Sequence, residues 1–110
     1  MKVKEKYYKL LKAGLKTIEL RLFDEKRQKI RIGDEIVFSN LDDESDSFTA
    51  RVIKFYRADN FAALCHQISP QQAGFDTSED LVRVMQNFYS LNDQEKYGVL
   101  GIEVKREEIK

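Results

Sequence analysis

Apolar residues change their spacing several times along the 110-residue chain, and each change marks an expected element. Val3, Tyr7, Leu10 and Leu11 recur at helical intervals, with Lys2, Lys6, Lys9 and Lys12 around the remaining side, so an amphipathic helix is expected over residues 3–13. Gly14 stands where a left-handed cap ends such a helix. The period then drops to two. Ile18, Leu20 and Leu22 alternate with Thr17, Glu19 and Arg21, the pattern of a strand with one apolar face. A basic loop over 24–29, a turn over 30–34 and a strand over 35–39 follow, and the acidic stretch 40–46 reads as a loop. Residues 47–57 are the longest strand candidate. Phe48, Ala50 and Val52 alternate in it, after which the apolar positions become Ile53 and Phe55. One inserted residue reverses an alternation, so a bulge is expected beyond Val52.

Phe61, Leu64, Cys65 and Ile68 predict a second helix, capped by Asp59 or Asn60 and stopped at Ser69-Pro70. Thr77-Ser78-Glu79-Asp80 predicts the start of a third, whose stripe is Leu81, Val84, Met85 and Phe88. A further turn over 92–97, closed at Gly98, leads into a last strand over 99–105. Helix, three strands, two helices and a strand, so unevenly interleaved, imply an α+β fold. The expected architecture is a small mixed or antiparallel β-barrel flanked by helices, in one domain over 1–110.

Composition narrows the setting more than the chemistry. At 42% hydrophobic and 35% charged residues the chain can bury a core and cover it. Its apolar runs fall far short of the ~20 residues of a membrane span. No apolar block follows the N-terminal lysines, so no signal peptide is expected. The one cysteine, Cys65, has no internal partner. With the single histidine, His66, it excludes most cysteine/histidine zinc sites. A reducing, cytoplasmic location is expected, with no metal and no cofactor. Nineteen basic residues balance nineteen acidic ones, but unevenly. Residues 1–31 carry eleven Lys/Arg against four acids, a net of +7, whereas residues 32–50 carry six acids and no base. The first third is thus a candidate anion-facing surface.

There is no glycine-rich phosphate loop, no metal spacing and no nucleophile-base pattern in the chain. Cys65 and His66 fall on the second expected helix and read as structural, buried or half-exposed. The unusual segment is Gly14-Leu15-Lys16-Thr17-Ile18-Glu19-Leu20-Arg21. It places a lysine at a helix–strand junction, then a glutamate and an arginine about 6.5–7 Å apart on one strand face. Arginine donates in a planar fork to phosphate or carboxylate, and a carboxylate beside it accepts from an amino group. The residue types alone equally describe a surface ion pair worth ~0–1 kcal/mol.

Gly14-x-Lys16-x-x-Glu19-x-Arg21 resembles the G-x-K-x-x-E-x-R signature of the ASCH domain family, in the PUA-like superfamily. Ile32-Gly33-Asp34-Glu35-Ile36-Val37-Phe38 resembles that family's second strand, Tyr97-Gly98-Val99-Leu100-Gly101-Ile102 its closing strand, and Phe88-Tyr89 the end of its preceding helix. The resemblance implies a β-barrel with a cleft lined by Lys16, Glu19 and Arg21, and RNA or a nucleotide-like ligand as partner. Tyr8, Tyr56, Tyr89 and Tyr97 are candidates for stacking on a splayed base, Tyr56 and Tyr89 foremost.

A binding role is expected ahead of a catalytic one. One branch of similar small bacterial proteins hydrolyses N4-acetylcytidine with a lysine base, a threonine nucleophile and a glutamate acid. Lys16 matches the lysine, but the threonine position is Glu19 and the acid's position falls near Gly74. A different hydrolysis, of RNA or a modified nucleoside, would need Lys16 desolvated as the base, with Glu19 orienting water and Arg21 holding an oxyanion. A third possibility is a protein-interaction domain using the acidic 40–46 loop.

Overall fold

The computed structural model describes residues 1–107. The chain begins with a two-residue strand, β1 (Lys2–Val3), before the helix α1 (Glu5–Lys12). β2 (Ile18–Leu22) follows, then β3 (Glu35–Asn40) and the long β4 (Asp43–Ala58). A single helical turn, α2 (Phe61–Leu64), leads to α3 (Ser78–Phe88), α4 (Leu91–Tyr97) and the closing strand β5 (Val99–Arg106). The five strands form one sheet in the order β1-β3-β4-β5-β2. β1 pairs parallel with β3 and the other neighbours are antiparallel. The result is a mixed α+β half-barrel with helices packed on both faces.

The caps lie where the side chains demand them. Gly14 takes a φ of 77° just past α1, and Gly98 a φ of 72° at the end of α4. Asn60, Thr77 and Ser90 each accept a backbone N–H in the first turn of α2, α3 and α4.

The bulge beyond Val52 is present, and it sorts the molecule. Val52 pairs with Val104 and Lys54 with Glu103, so Ile53 is the extra residue. Before it, Phe48, Ala50 and Val52 face a core built with Val3, Tyr8, Leu11, Ile36, Phe38, Leu100 and Ile102. After it, Phe55 joins that core, whereas Tyr56 and Ala58 join a second one on the opposite face. That second core gathers Ile18, Leu20, Leu22, Phe61, Leu64, Phe75, Leu81 and Met85. Ile53 itself is exposed, because a bulged residue has no place in either face.

Four sequence expectations are corrected. Residues 2–3 are a strand, because the sheet edge of β3 offers their backbone partners that a frayed first helical turn lacks: Ser39 and Leu41 donate to the carbonyls of Met1 and Val3. The acidic stretch is not a loop. Asp43–Asp46 extend β4, and only a short turn separates it from β3. The second helix stops at Leu64 rather than Ile68. His66 is exposed, not buried or half-exposed, since the chain has left the helix there. No helix among the described residues is long and apolar enough to cross a membrane.

Candidate functional site

Lys16 is delivered by the way α1 ends. The Leu15 and Lys16 amides both return to the Leu10 carbonyl, and Thr17 donates to Gln72, which turns the chain from helix to strand within three residues. β2 then pairs with β5 so that Glu19 lies opposite Ile102 and Arg21 opposite Leu100. Cross-strand partners share a face. Glu19 and Arg21 therefore project toward the face of the first core, while Ile18, Leu20 and Leu22 feed the second.

The three signature side chains meet in a buried ion cluster. Lys16 Nζ lies 3.0 Å from Glu19 Oε1, and Arg21 Nη2 lies 2.9 Å from Glu19 Oε2. Only 4% of the Lys16 side chain and 6% of the Glu19 side chain reach solvent. The surface ion pair that the residue types alone describe is thus excluded by burial. Burial by itself pushes the Glu19 carboxyl upward, but Lys16 and Arg21, by charge and hydrogen bond, outweigh it and hold it below the ordinary range. Desolvation likewise opposes the Arg21 charge, and Glu19 together with the Tyr89 hydroxyl more than offsets it.

Arg21 has a second task. Its Nη2 donates to the Lys2 carbonyl at 2.7 Å, which ties β2 to β1, the two outer strands of the sheet. The half-barrel is closed across the site by a side chain rather than by a strand ladder.

Above this cluster is a cavity of about 220 Å³. Its walls are mostly apolar and aromatic: Tyr7, Phe75, Met85, Phe88 and Tyr89 on one side, Val3 and Leu41 on the other. The Tyr7 and Phe75 rings are 5.4 Å apart, and Lys16 Nζ lies 5.1 Å from the Tyr7 centroid. Lys2 and Lys4 stand at the rim, Lys4 Nζ 4.6 Å over the half-exposed Phe88 ring.

Of the aromatic candidates, Tyr89 lines the cavity. Its ring already stacks on Phe61 at 6.0 Å, so it serves as a wall. Tyr56 does not line it. It lies opposite Gly101, itself opposite Leu20, so the bulge places it on the far face of the sheet, where its hydroxyl donates to Glu103 at 2.7 Å. Tyr8 is fully buried and donates to Asp46, and Tyr97 packs against the second core. The sequence reading missed Tyr7, Phe75, Met85 and Phe88 as walls, because it assigned three of them to helical stripes. A stripe identifies burial, not what it is buried against.

The three roles of the acetylcytidine hydrolases are not assembled here. Glu19 occupies the nucleophile's position and is fully paired. Gly74 does lie against Lys16: a Cβ built there would meet Lys16 Cδ at 3.2 Å. The position that the resemblance assigns to the acid thus lies against Lys16 and carries no side chain. Among the described residues no three His, Cys, Asp or Glu side chains are grouped to hold a metal.

The fold has counterparts in solved structures. The crystal structure of hypothetical protein PH0355 matches with a TM-score of 0.81 at 32% identity, over 97% of this chain and 100% of that one. The solution structure of protein PF0455 from Pyrococcus furiosus matches with a TM-score of 0.74 at 29% identity, over 99% and 100%. No functionally curated protein matches the chain. The ASCH domain model matches residues 1–108. With the signature cluster at the floor of its cleft, the chain belongs to the ASCH domain family.

Proposed function

We propose that this ASCH domain binds RNA and takes one unstacked base into the cavity above Lys16, Glu19 and Arg21. The observation that carries this reading is the combination in one place of a buried cationic cluster, aromatic walls and a lysine rim. Single-stranded nucleic acid is held by that pairing of stacking surfaces with phosphate attraction. A base stacked in a cavity of about 220 Å³ lined by Tyr7 and Phe88 would leave its phosphates near Lys2 and Lys4. The basic first third of the chain then supplies the salt-sensitive part of the affinity.

The test is fluorescence anisotropy of labelled single-stranded and structured RNA at low and moderate salt. Binding is expected to weaken as salt rises, to weaken further in Lys4→Glu, and to fall by about 5- to 100-fold in Phe88→Ala through lost stacking. RNA that shows no salt-sensitive binding to the folded protein would sink the proposal. A gel of the incubated samples checks that the RNA stays intact.

A further inference from the structure

The floor of the cavity carries more donors than acceptors. A carboxylate has about four lone-pair sites, and Glu19 receives donors from Lys16 Nζ, its neighbour Leu20 N, Arg21 Nε and Arg21 Nη2. Its accepting capacity is filled. The sequence expectation that Glu19 accepts from an amino group of a ligand is therefore not met by the geometry. The cations retain capacity. An ammonium has three N–H donors and a guanidinium five. The pair with Glu19 uses one donor of Lys16. Arg21 directs Nε and Nη2 to Glu19 and the Lys2 carbonyl, and even with the Tyr89 hydroxyl beside it not all of its five donors are spent. Two positive charges against one negative leave the cluster at +1 under largely apolar walls.

We propose that the cavity selects a planar heterocycle whose inward edge carries a carbonyl oxygen, as in uracil, guanine or hypoxanthine, over one whose inward edge carries an amino group, as in cytosine or adenine. This deepens the base-binding reading above and rests on it. A carbonyl directed at Lys16 and Arg21 receives charge-assisted hydrogen bonds in a place where water no longer competes. An amino group aimed at Lys16 and Arg21 meets donors where it needs acceptors, and loses water partners that these two side chains do not replace. A bare phosphate would satisfy the charge but leave the Tyr7, Phe75 and Phe88 surfaces unfilled. The observed arrangement thus favours a ring with an acceptor edge over a simple anion.

The experiment titrates the unmodified protein with uridine, cytidine, inosine, adenosine and inorganic phosphate. Binding is followed by the NMR shifts of Tyr7, Phe88 and Tyr89 and quantified by the titration curves. Uridine is expected to bind about tenfold more tightly than cytidine, and inosine about tenfold more tightly than adenosine. In Lys16→Met, with its fold checked by the amide spectrum, this preference shrinks while residual stacking persists. The ligand series on the unmodified protein stands on its own should that variant not fold. Equal binding of both members of each pair, or preference for the amino bases, overturns this inference and leaves base binding intact. Saturation of the same shifts by phosphate alone, with no effect of any nucleoside, overturns base binding and the inference together. So does a lack of response to all five probes.

Discussion

The two lysine–carboxylate pairs near the end of α1 are alike in chemistry and differ in water. Lys12 Nζ lies 2.7 Å from Asp46, with 40% and 34% of the two side chains exposed. Lys16 Nζ lies 3.0 Å from Glu19, with 4% and 6% exposed. Each pair has an aromatic neighbour, Tyr8 donating to Asp46 and Tyr7 beside Lys16. At the first pair solvent screens the charges, and the interaction serves to dock α1 on β4. At the second, burial removes most of that screening. The cost of desolvating three charges is met mainly by their mutual contacts, with hydrogen bonds from Leu20 N and to the Lys2 carbonyl. The shorter contact is thus the weaker determinant, and the lesson is that burial, not distance, sets what an ion pair does. An apolar trio would serve stability as well, so a charged cluster at the bottom of a cavity fits the binding role proposed above.

The largest expected effect breaks the buried side of this comparison. Glu19→Ala leaves Lys16 and Arg21 buried without a counter-charge and cuts the tie that orients Arg21 toward β1. A loss of about 3–5 kcal/mol is expected in urea unfolding. A loss below about 1 kcal/mol would mean that water enters the cluster and that the two pairs do not differ as described.

Gly74→Ala tests the same site through the backbone. The φ of 89° is strained for alanine, and the new Cβ would press on Lys16 Cδ at 3.2 Å and Leu10 at 3.4 Å. A loss of about 1–3 kcal/mol is expected, with shifted Lys16 signals. An unchanged thermal midpoint would show that the Lys16 stem gives way and that the backbone there accepts alanine without strain.

The exposed side responds less. Tyr8→Phe removes one hydrogen bond to Asp46 and should cost about 1 kcal/mol. It should also alter alkaline unfolding. Burial, with the Asp46 hydrogen bond, pushes the Tyr8 hydroxyl up to about 12. The native state therefore holds this proton more tightly than the unfolded chain does. The stability so conferred is complete below the ordinary value of 10 and is lost as pH rises through about 12. Stability curves of wild type and Tyr8→Phe that fall in parallel above pH 10 would contradict this.

The smallest stability effect is expected for Lys12→Ala, which should fall below that of Tyr8→Phe and shrink further in salt. Acid sharpens the contrast between the pairs. Glu19 is held below its ordinary value of 4.5, so its contribution is complete above that pH and is lost as pH falls through the lower folded value. Asp46 is lowered too, by hydrogen bonds from Lys12 and Tyr8. Added salt should flatten the acid limb due to Asp46 and leave that due to Glu19. A uniform response to salt would show that both pairs are screened alike.

Much of this was readable from local pattern. Period-two alternation placed β2, the shift from Val52 to Phe55 announced the bulge, and Gly14, the Asp59-Asn60 pair, Thr77 and Gly98 marked helix ends. These are properties of a few consecutive residues, and the chain's local geometry decides them. The spacing of Lys16, Glu19 and Arg21 also singled out the site, and the family resemblance gave it a context. The failures share a cause. Lys2–Val3 became a strand because β3, more than thirty residues away, offers its edge. Asp43–Asp46 became strand because Asn40 pairs with Asp43 across a shift in register, and Asp46 found Tyr8 and Lys12 on α1.

What the sequence by itself determined is therefore most of the elements and several of their ends, the reversal of alternation in β4 and the identity of the three charged residues. Only tertiary structure decided that those charges are buried, that Glu19 is saturated while its cations are not, and that Tyr7, Phe75 and Phe88 rather than Tyr56 wall the cavity. The reason is physical. Periodicity reports which face of an element is apolar. What covers that face, how far water is excluded, and which donors remain unspent depend on contacts between residues far apart in the chain.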